Sequence, residues 1–197
     1  MCIRDRFRTD SGGEDHFAVL IGTGASNPAP LVRLHSQCIT GDVLGSLKCD
    51  CGDQLQGAMR LMASAGGGIL VYLAQEGRDI GLLNKMRAYA LQDDGMDTVD
   101  ANHALGFDTD ERVFVPAARI LAALGVSQVR LITNNPDKMA QLKQCGVTVA
   151  ARVPLALASN PHNAAYLATK KERTGHLLDD MVIANEITDS TPDKNRG

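Results

Sequence analysis

Apolar positions in this chain recur with two different periods. Strand-length runs occupy Phe17 to Ile21, Ile69 to Leu73, Gln128 to Thr133 and Val147 to Val153. Leu31 to Ser36, where Leu, Arg and His alternate with smaller residues, reads as a further strand. Helical spacing governs the stretches between them. Gln54 to Ala63 carries Leu55, Met59 and Met62, and Ile80 to Gln92 sets Ile80, Leu83, Met86 and Ala90 on one face. Pro116 to Leu124 and Pro136 to Gln144 are further helices, with Pro136 at a first helical position. Val99 to Leu105 predicts a short helix and Asn163 to Thr174 a final one. Asp79 is the expected N-cap of the helix from Ile80, and Thr40-Gly41-Asp42 is expected to be a turn. The second half thus alternates helix and strand, which predicts an α/β layer. Met1 to Arg8 shows neither strand alternation nor a helix face, and Thr188 to Gly197 is polar and expected to fray.

Composition narrows the function classes. A chain of 197 residues suits one domain or two small subdomains sharing a core. Its net charge of −3 gives no global basic field for nucleic acid, and 4% aromatic residues with no Trp gives no base-stacking surface. No apolar run reaches membrane-spanning length (about 18 residues), and no secretory signal pattern is present. Five cysteines, an odd number with a C-x-C pair, fit a reducing compartment better than a disulfide framework, so a cytoplasmic protein without membrane partners is expected.

Three of those cysteines, Cys38, Cys49 and Cys51, carry most of the chemistry. An extended Cys49–Cys51 segment would put both sulfurs on one face. A third thiolate from Cys38 would leave a tetrahedral zinc one open position, the mark of a catalytic ion. Lys48, Asp50, Asp53 and Gln54 crowd the pair, which suits a site better than a core. His35 offers a fourth ligand, in which case the metal would be structural. Buried cysteines acting as small apolar residues are the third reading.

Two strand-to-helix junctions gather the other polar residues: Gln75-Glu76-Gly77-Arg78 and Thr133-Asn134-Asn135-Pro136-Asp137-Lys138. Ligands of open α/β sheets bind beyond strand carboxyl ends, where helix N-termini present free N–H groups to phosphates. Arg33, Arg78 and Lys138 add full charges, and Arg grips phosphate in a two-point fashion. The ligand expected is anionic and polyphosphorylated. Each residue also has an ordinary reading: Arg78 paired with Asp79 or Glu76, Lys138 solvated, Thr133 to Asn135 a helix cap. No Walker-type G-x-x-x-x-G-K-[ST] loop is present. The loop Asp108 to Arg112 sets clustered carboxylates beside an Arg, as a base and charge clamp would be.

In order and spacing, these segments resemble GTP cyclohydrolase II. The matching stretches are Val32 to Cys38, Ser46 to Gly52, Gln75 to Leu82, Ala88 to Asp93, Asp97 to Val99, Asp110 to Arg112 and Leu131 to Pro136, within a span from Phe17 to Leu178. The resemblance implies an α/β fold with a mixed sheet flanked by helices and a β-rich N-terminal part carrying the zinc. It implies a catalytic domain over residues 17–180, between a poorly defined segment 1–16 and a tail 181–197. It implies one zinc per subunit on Cys38, Cys49 and Cys51. GTP contacts would come from Arg33, Leu34, His35, Ser36, Gln37, Gln54, Glu76, Gly77, Arg78, Thr98, Thr133 and Lys138, with magnesium on the triphosphate. Asp110 would be the proton acceptor, Arg112 the group acting on the α-phosphate as pyrophosphate leaves, and Tyr89 a tyrosine near the base. Water activated by zinc would open the guanine imidazole ring and release formate, leaving a diamino-phosphoribosylaminopyrimidinone, the first committed step of riboflavin synthesis. A homodimer is implied too.

Physical chemistry favours an electrostatic role for Arg112, because a guanidinium stays protonated and is a poor nucleophile. The chain departs from the family at Gln37, where many relatives carry Glu. It also lacks a recognisable strand before Phe17, which predicts a shortened chain with an exposed sheet edge near Phe17 to Ile21. Two alternatives remain at this stage. One is a relative that stops at a formamido product; the other is a zinc-stabilised nucleotide-binding regulator with His35 as fourth ligand.

Overall fold

The computed structural model describes residues 2–7 and 15–155, together with residues 161–163, 167, 173 and 177. Among these residues six strands form one mixed sheet: β1 (Cys2–Phe7), β2 (His16–Gly22), β3 (Leu31–Ser36), β4 (Gly67–Leu73), β5 (Gln128–Ile132) and β6 (Thr148–Val153), in the order β1-β2-β4-β3-β5-β6. β1, β2 and β4 pair antiparallel, whereas β4, β3, β5 and β6 run parallel. The helices are α1 (Ile39–Asp42), α2 (Cys51–Ser64), α3 (Gly81–Asp93), α4 (Thr98–Ala104), α5 (Val115–Ala123) and α6 (Pro136–Gln144).

Alternation along the strands divides the core in two. Val32, Leu34, Ile69 and Val71 face α5 and α6, where Ile120, Leu121 and Leu142 meet them. Leu31, Leu70, Val19 and Ile132 face the other way, onto Ala58 and Met62 of α2. The same period puts Arg33 and His35 of β3 on the α2 face, near the carboxyl end of the sheet, where apolar packing gives way to polar groups. The parallel strands β3, β4 and β5 all end there, which makes that edge the natural ligand-binding edge.

Several local expectations are corrected. Cys2 to Phe7 is a strand after all, and it covers β2 as an antiparallel neighbour, so Phe17 to Ile21 is not an exposed edge. Thr40 to Asp42 belongs to the short helix α1 and is not an open turn. Asp79 does not cap α3: it sits in the left-handed region (φ 75°), and Ile80 occupies the cap position without a side-chain bond. The apolar face expected on α3 is reversed, since the helix buries Lys85 and Ala88 and leaves Leu83 66% exposed. Most of Asn163 to Thr174, and all of Thr188 to Gly197, lie outside the described residues.

Candidate functional site

Three separate pieces of backbone carry the cysteines together. Cys38 follows β3 and opens α1, Cys49 lies in the turn before α2, and Cys51 is the first residue of α2. Cys49 to Cys51 is therefore not extended as expected, because Asp50 turns into the helix (φ −102°, ψ 11°). The sulfurs converge nonetheless: all three lie within 4.8 Å of one another, and Cys38 Sγ is 3.8 Å from Cys49 Sγ. Tetrahedral zinc with bonds of about 2.3 Å would space its sulfurs by roughly 3.8 Å, so the donor set fits the ion. Gly41 of α1 allows this approach, since a Cβ there would stand 2.8 Å from Cys49 Sγ and 3.0 Å from Cys51 Cβ.

His35 is not part of this cluster. Its Nε2 lies 3.0 and 3.1 Å from the two carboxylate oxygens of Asp42, which also accepts from Tyr72 Oη at 2.8 Å and from the Cys38 backbone N–H at 3.0 Å. Asp42 thus ties β3, β4 and the first cysteine into one unit. Burial pushes the His35 pKa down despite that carboxylate, and its buried Nδ1 has no hydrogen-bond partner among the described residues.

The thiols do not behave alike. The Cys38 thiol is driven far below its ordinary pKa by hydrogen bonds from Cys49 and Cys51, with Thr40 and Lys85 adding to them. Cys49 and Cys51 are pushed up by hydrogen bonding to the Cys38 sulfur, with Cys49 adding to it at Cys51 and burial at both. Ionising all three sulfurs at this spacing requires a cation at their centre, and that chemistry fits a divalent, thiophilic metal.

Beyond the sulfurs lies a cavity of about 420 Å³. Of the residues that the resemblance assigns to the metal, the nucleotide and catalysis, all line it except Leu34 and Asp110. Leu34 points into the apolar core, 1% exposed, and contributes its carbonyl oxygen, which accepts from Lys138 Nζ at 2.9 Å. Asp110 reaches the cavity only through Arg112, whose Nε donates to its Oδ1 at 2.7 Å. The metal-binding sulfurs apart, six Lys or Arg side chains among the described residues line the space (Arg33, Lys48, Arg78, Lys85, Arg112 and Lys138) against three carboxylates (Glu76, Asp93 and Asp97), in a chain whose net charge is −3. The cavity therefore concentrates positive potential for an anion.

Each cation is fixed by its surroundings. Arg33 donates from Nη1 to the Ile132 carbonyl at 3.1 Å and from Nη2 to Gln54 Oε1, while its buried Nε has no hydrogen-bond partner among the described residues; burial lowers its pKa to about 10. Arg78 neither pairs with Glu76 nor Asp79 but donates to the Thr109 carbonyl at 2.9 Å. Gly77, Arg78 and Asp79 are all left-handed (φ 65°, 63° and 75°), a strained run that holds Arg78 over the 109–112 loop. Asn135 caps α6 by accepting from the Asp137 N–H at 2.8 Å, and Thr133 Oγ1 accepts from the Asn135 N–H at 3.0 Å. Capping and ligand-facing position coexist here, since Thr133 and Asn135 also line the cavity.

Tyr89 on α3 stands beside the cysteines, with Lys48 Nζ 4.6 Å from its ring centroid. Burial pushes its pKa up to about 12, so it is a neutral phenol at physiological pH. Sequence reasoning missed Lys85, since a lysine in an apolar-looking helix gives no signal of its own. It also gave Gln75 no role beyond its junction, although Gln75 accepts from Ser36 Oγ at 3.2 Å and donates to the Val113 carbonyl at 2.8 Å, joining β3 to the loop that carries Arg112.

Comparison with known proteins bears directly on this constellation. The family model described as GTP cyclohydrolase II matches residues 5–154. A GTP cyclohydrolase-2 of Azospirillum brasilense is 55% identical over 172 residues, which is 87% of this chain and 45% of that protein. The GTP cyclohydrolase-2 of Escherichia coli O9:H4 (strain HS) is 54% identical over 166 residues, 84% of this chain and 85% of that protein. This chain thus spans less than half the length of the first relative and most of the second.

Proposed function

The chain belongs to the GTP cyclohydrolase II family, and from that premise we propose how its own residues open the guanine imidazole ring of GTP with release of formate and pyrophosphate. The observation that carries this reading is the adjacency of a three-sulfur cluster and a cavity whose lining charge is positive.

The triphosphate, accompanied by magnesium, enters the cationic end, where Arg78, Arg112 and Lys138 meet its oxygens and the residues at the start of α6 add polar groups. Thr98, the first residue of α4, is held in the cavity wall by the Asp97 cap, whose Oδ1 accepts from Val99 N at 2.7 Å and Asp100 N at 2.8 Å. Arg33, Gln54, Gln37 and Ser36 border the nucleoside between the phosphate wall and the sulfurs. Zinc, held by Cys38, Cys49 and Cys51 with one position open, would supply Lewis-acid activation of water for attack on the ring.

Arg112 acts through charge. Its guanidinium is locked onto Asp110, placed to stabilise the charge that builds on the α-phosphate as pyrophosphate leaves. Asp110 keeps that orientation and, being ionised, accepts a proton when the pair opens. Tyr89 offers its phenol at the base end, where the second hydrolysis releases formate. Among the described residues no helix is long and apolar enough to cross a membrane. A cytoplasmic homodimer is part of this proposal, supported by the exposed Leu82, Leu83 and Met86 on α3.

Formate and pyrophosphate release from GTP by the purified chain, with and without a zinc chelator, tests the reading. Equal release of both products, lost on chelation, is expected. A folded, zinc-loaded protein releasing neither would overturn it.

A further inference from the structure

We propose that Lys85 is a positioning residue of the metal centre, an ammonium built into α3 to orient Cys38 and to offset the charge of the three-thiolate site. The inference rests on the reading of the cysteines as metal ligands and goes beyond it, to a residue that never touches the metal.

A lysine inside a protein needs a reason, because its charge is costly to desolvate. Lys85 is 7% exposed, and its three N–H donors meet three acceptors: Glu76 Oε1 at 2.8 Å, Thr40 Oγ1 at 2.9 Å and Cys38 Sγ at 3.1 Å. These come from three elements: the end of β4, the helix α1 and the segment joining β3 to it. Glu76 is in turn fixed at both oxygens, Oε2 by the Ile39 N–H at 2.7 Å and Oε1 by the Gly77 N–H at 3.0 Å. A carboxylate so occupied is spent on the scaffold. Its place in the cavity wall is explained by what it holds, the Lys85 ammonium.

The chain of contacts runs Ile39 N–H to Glu76, Glu76 to Lys85, Lys85 to Cys38. It has the form of an outer shell around a metal ligand, which sets the orientation of the donor and the electron density it gives to the ion. Three thiolates around a divalent cation carry a net negative charge, next to a cavity that receives a polyanion. An N–H⁺ donor on one sulfur lowers the negative potential at that boundary and leaves the ion more electrophilic.

Zinc and cobalt(II) alone, added to the full chain, test this without any nucleotide. Zinc affinity is read by competition with a chromophoric chelator, and the cobalt–thiolate charge-transfer band is read by absorption. Lys85→Met is expected to weaken zinc binding by about 10–100-fold and to move the band. Lys85→Arg, which keeps a charged donor, is expected to recover most of the affinity and the band position. Wild-type affinity with an unmoved band in Lys85→Met would overturn the proposal. Should Lys85→Met not fold, Lys85→Gln carries the same test: weaker binding supports the role and unchanged binding and spectrum overturn it. Wild-type chain that binds zinc through the three cysteines yet releases no formate would sink the cyclohydrolase reading and leave the Lys85 result standing.

Discussion

Arg112 and Asp110 close a two-point ion pair across one intervening residue. Nε meets Oδ1 at 2.7 Å and Nη2 meets Oδ2 at 2.5 Å, while the Arg112 backbone N–H also donates to Oδ1 at 3.1 Å. The remaining nitrogen, Nη1, lies 3.5 Å from Ser36 Oγ on the cavity wall. The carboxylate thus aims the guanidinium at the cavity. Arg112→Lys keeps the charge but loses the planar two-point grip, so kcat should fall by about 10²–10³-fold. Pyrophosphate release that survives in Arg112→Ala would exclude a covalent bond to the α-phosphate.

The same pair sets an acid limit. Burial alone would raise the Asp110 pKa, but the Arg112 hydrogen bond and charge, with Arg78 adding to them, hold it below the ordinary carboxylate value. A depressed folded pKa gives stability that is fully present above the unfolded value of about 3.9 and is lost as pH falls through the folded one. Asp110→Asn should therefore be less stable than the parent chain at neutral pH, and the two should converge in strong acid. Urea unfolding at a series of pH values measures this. A stability gap that persisted unchanged into strong acid would contradict the pairing.

Tyr89 has the opposite linkage. Burial raises its pKa to about 12, although the Lys85 charge pulls it down. The phenol therefore supports the fold fully below its unfolded pKa of about 10, and that support is lost as pH rises through about 12. Tyr89→Phe should remove this alkaline component from the unfolding profile. If the ring meets the base as proposed, the variant should also release pyrophosphate in excess of formate, accumulating a formamido product. Equal product release would remove Tyr89 from the second hydrolysis.

On the outer side of α3, Leu83 is 66% exposed and Leu82 43% exposed, beside Met86. If this face joins two copies of the chain, Leu83→Asp should convert the dimer to a monomer, read by sedimentation velocity, with zinc affinity unchanged because Lys85 lies on the opposite face. A chain that is monomeric before substitution would refute the interface.

The sequence announced the sheet and its site far better than it announced orientation. Strands β2 to β5 were legible because their apolar runs are largely buried and clearly bounded, and β6 from its run of Val and Ala, although its side chains are exposed or half-buried. β1 was not, because its pairing with β2 slips between Ile3 and Asp5, and one extra residue breaks the period of two on which strand recognition depends. The α3 face was misread for a related reason. Its buried side lines a polar cavity, so Lys85 takes a position where a core helix would carry Leu, while leucines face outward. The left-handed run at Gly77 to Asp79 was hidden too, since only the first residue is a glycine. The cysteines and the two strand-to-helix junctions were legible because their chemistry is carried by residue type, which does not depend on which way a helix turns.

Gly41 offers a test of how tightly the sulfur cluster is built. The backbones of α1 and α2 touch at Gly41 and Gly52, where a Cβ on Gly52 would stand 2.4 Å from the Gly41 carbonyl oxygen. A Cβ on Gly41 would instead meet Cys49 Sγ at 2.8 Å and Cys51 Cβ at 3.0 Å, so the added methyl pushes on two ligands at once. Gly52→Ala has backbone in its way, which cannot swing aside, and should destabilise the chain by about 1–3 kcal/mol. Gly41→Ala meets a sulfur at the end of a side chain, so the fold should survive while the sulfurs spread. Zinc affinity in Gly41→Ala should drop at least tenfold with little change in urea stability of the metal-free chain, measured by chelator competition and circular dichroism. Affinity equal to the parent chain would mean that the cluster yields to the methyl, and that its spacing is not set by the contact between α1 and α2.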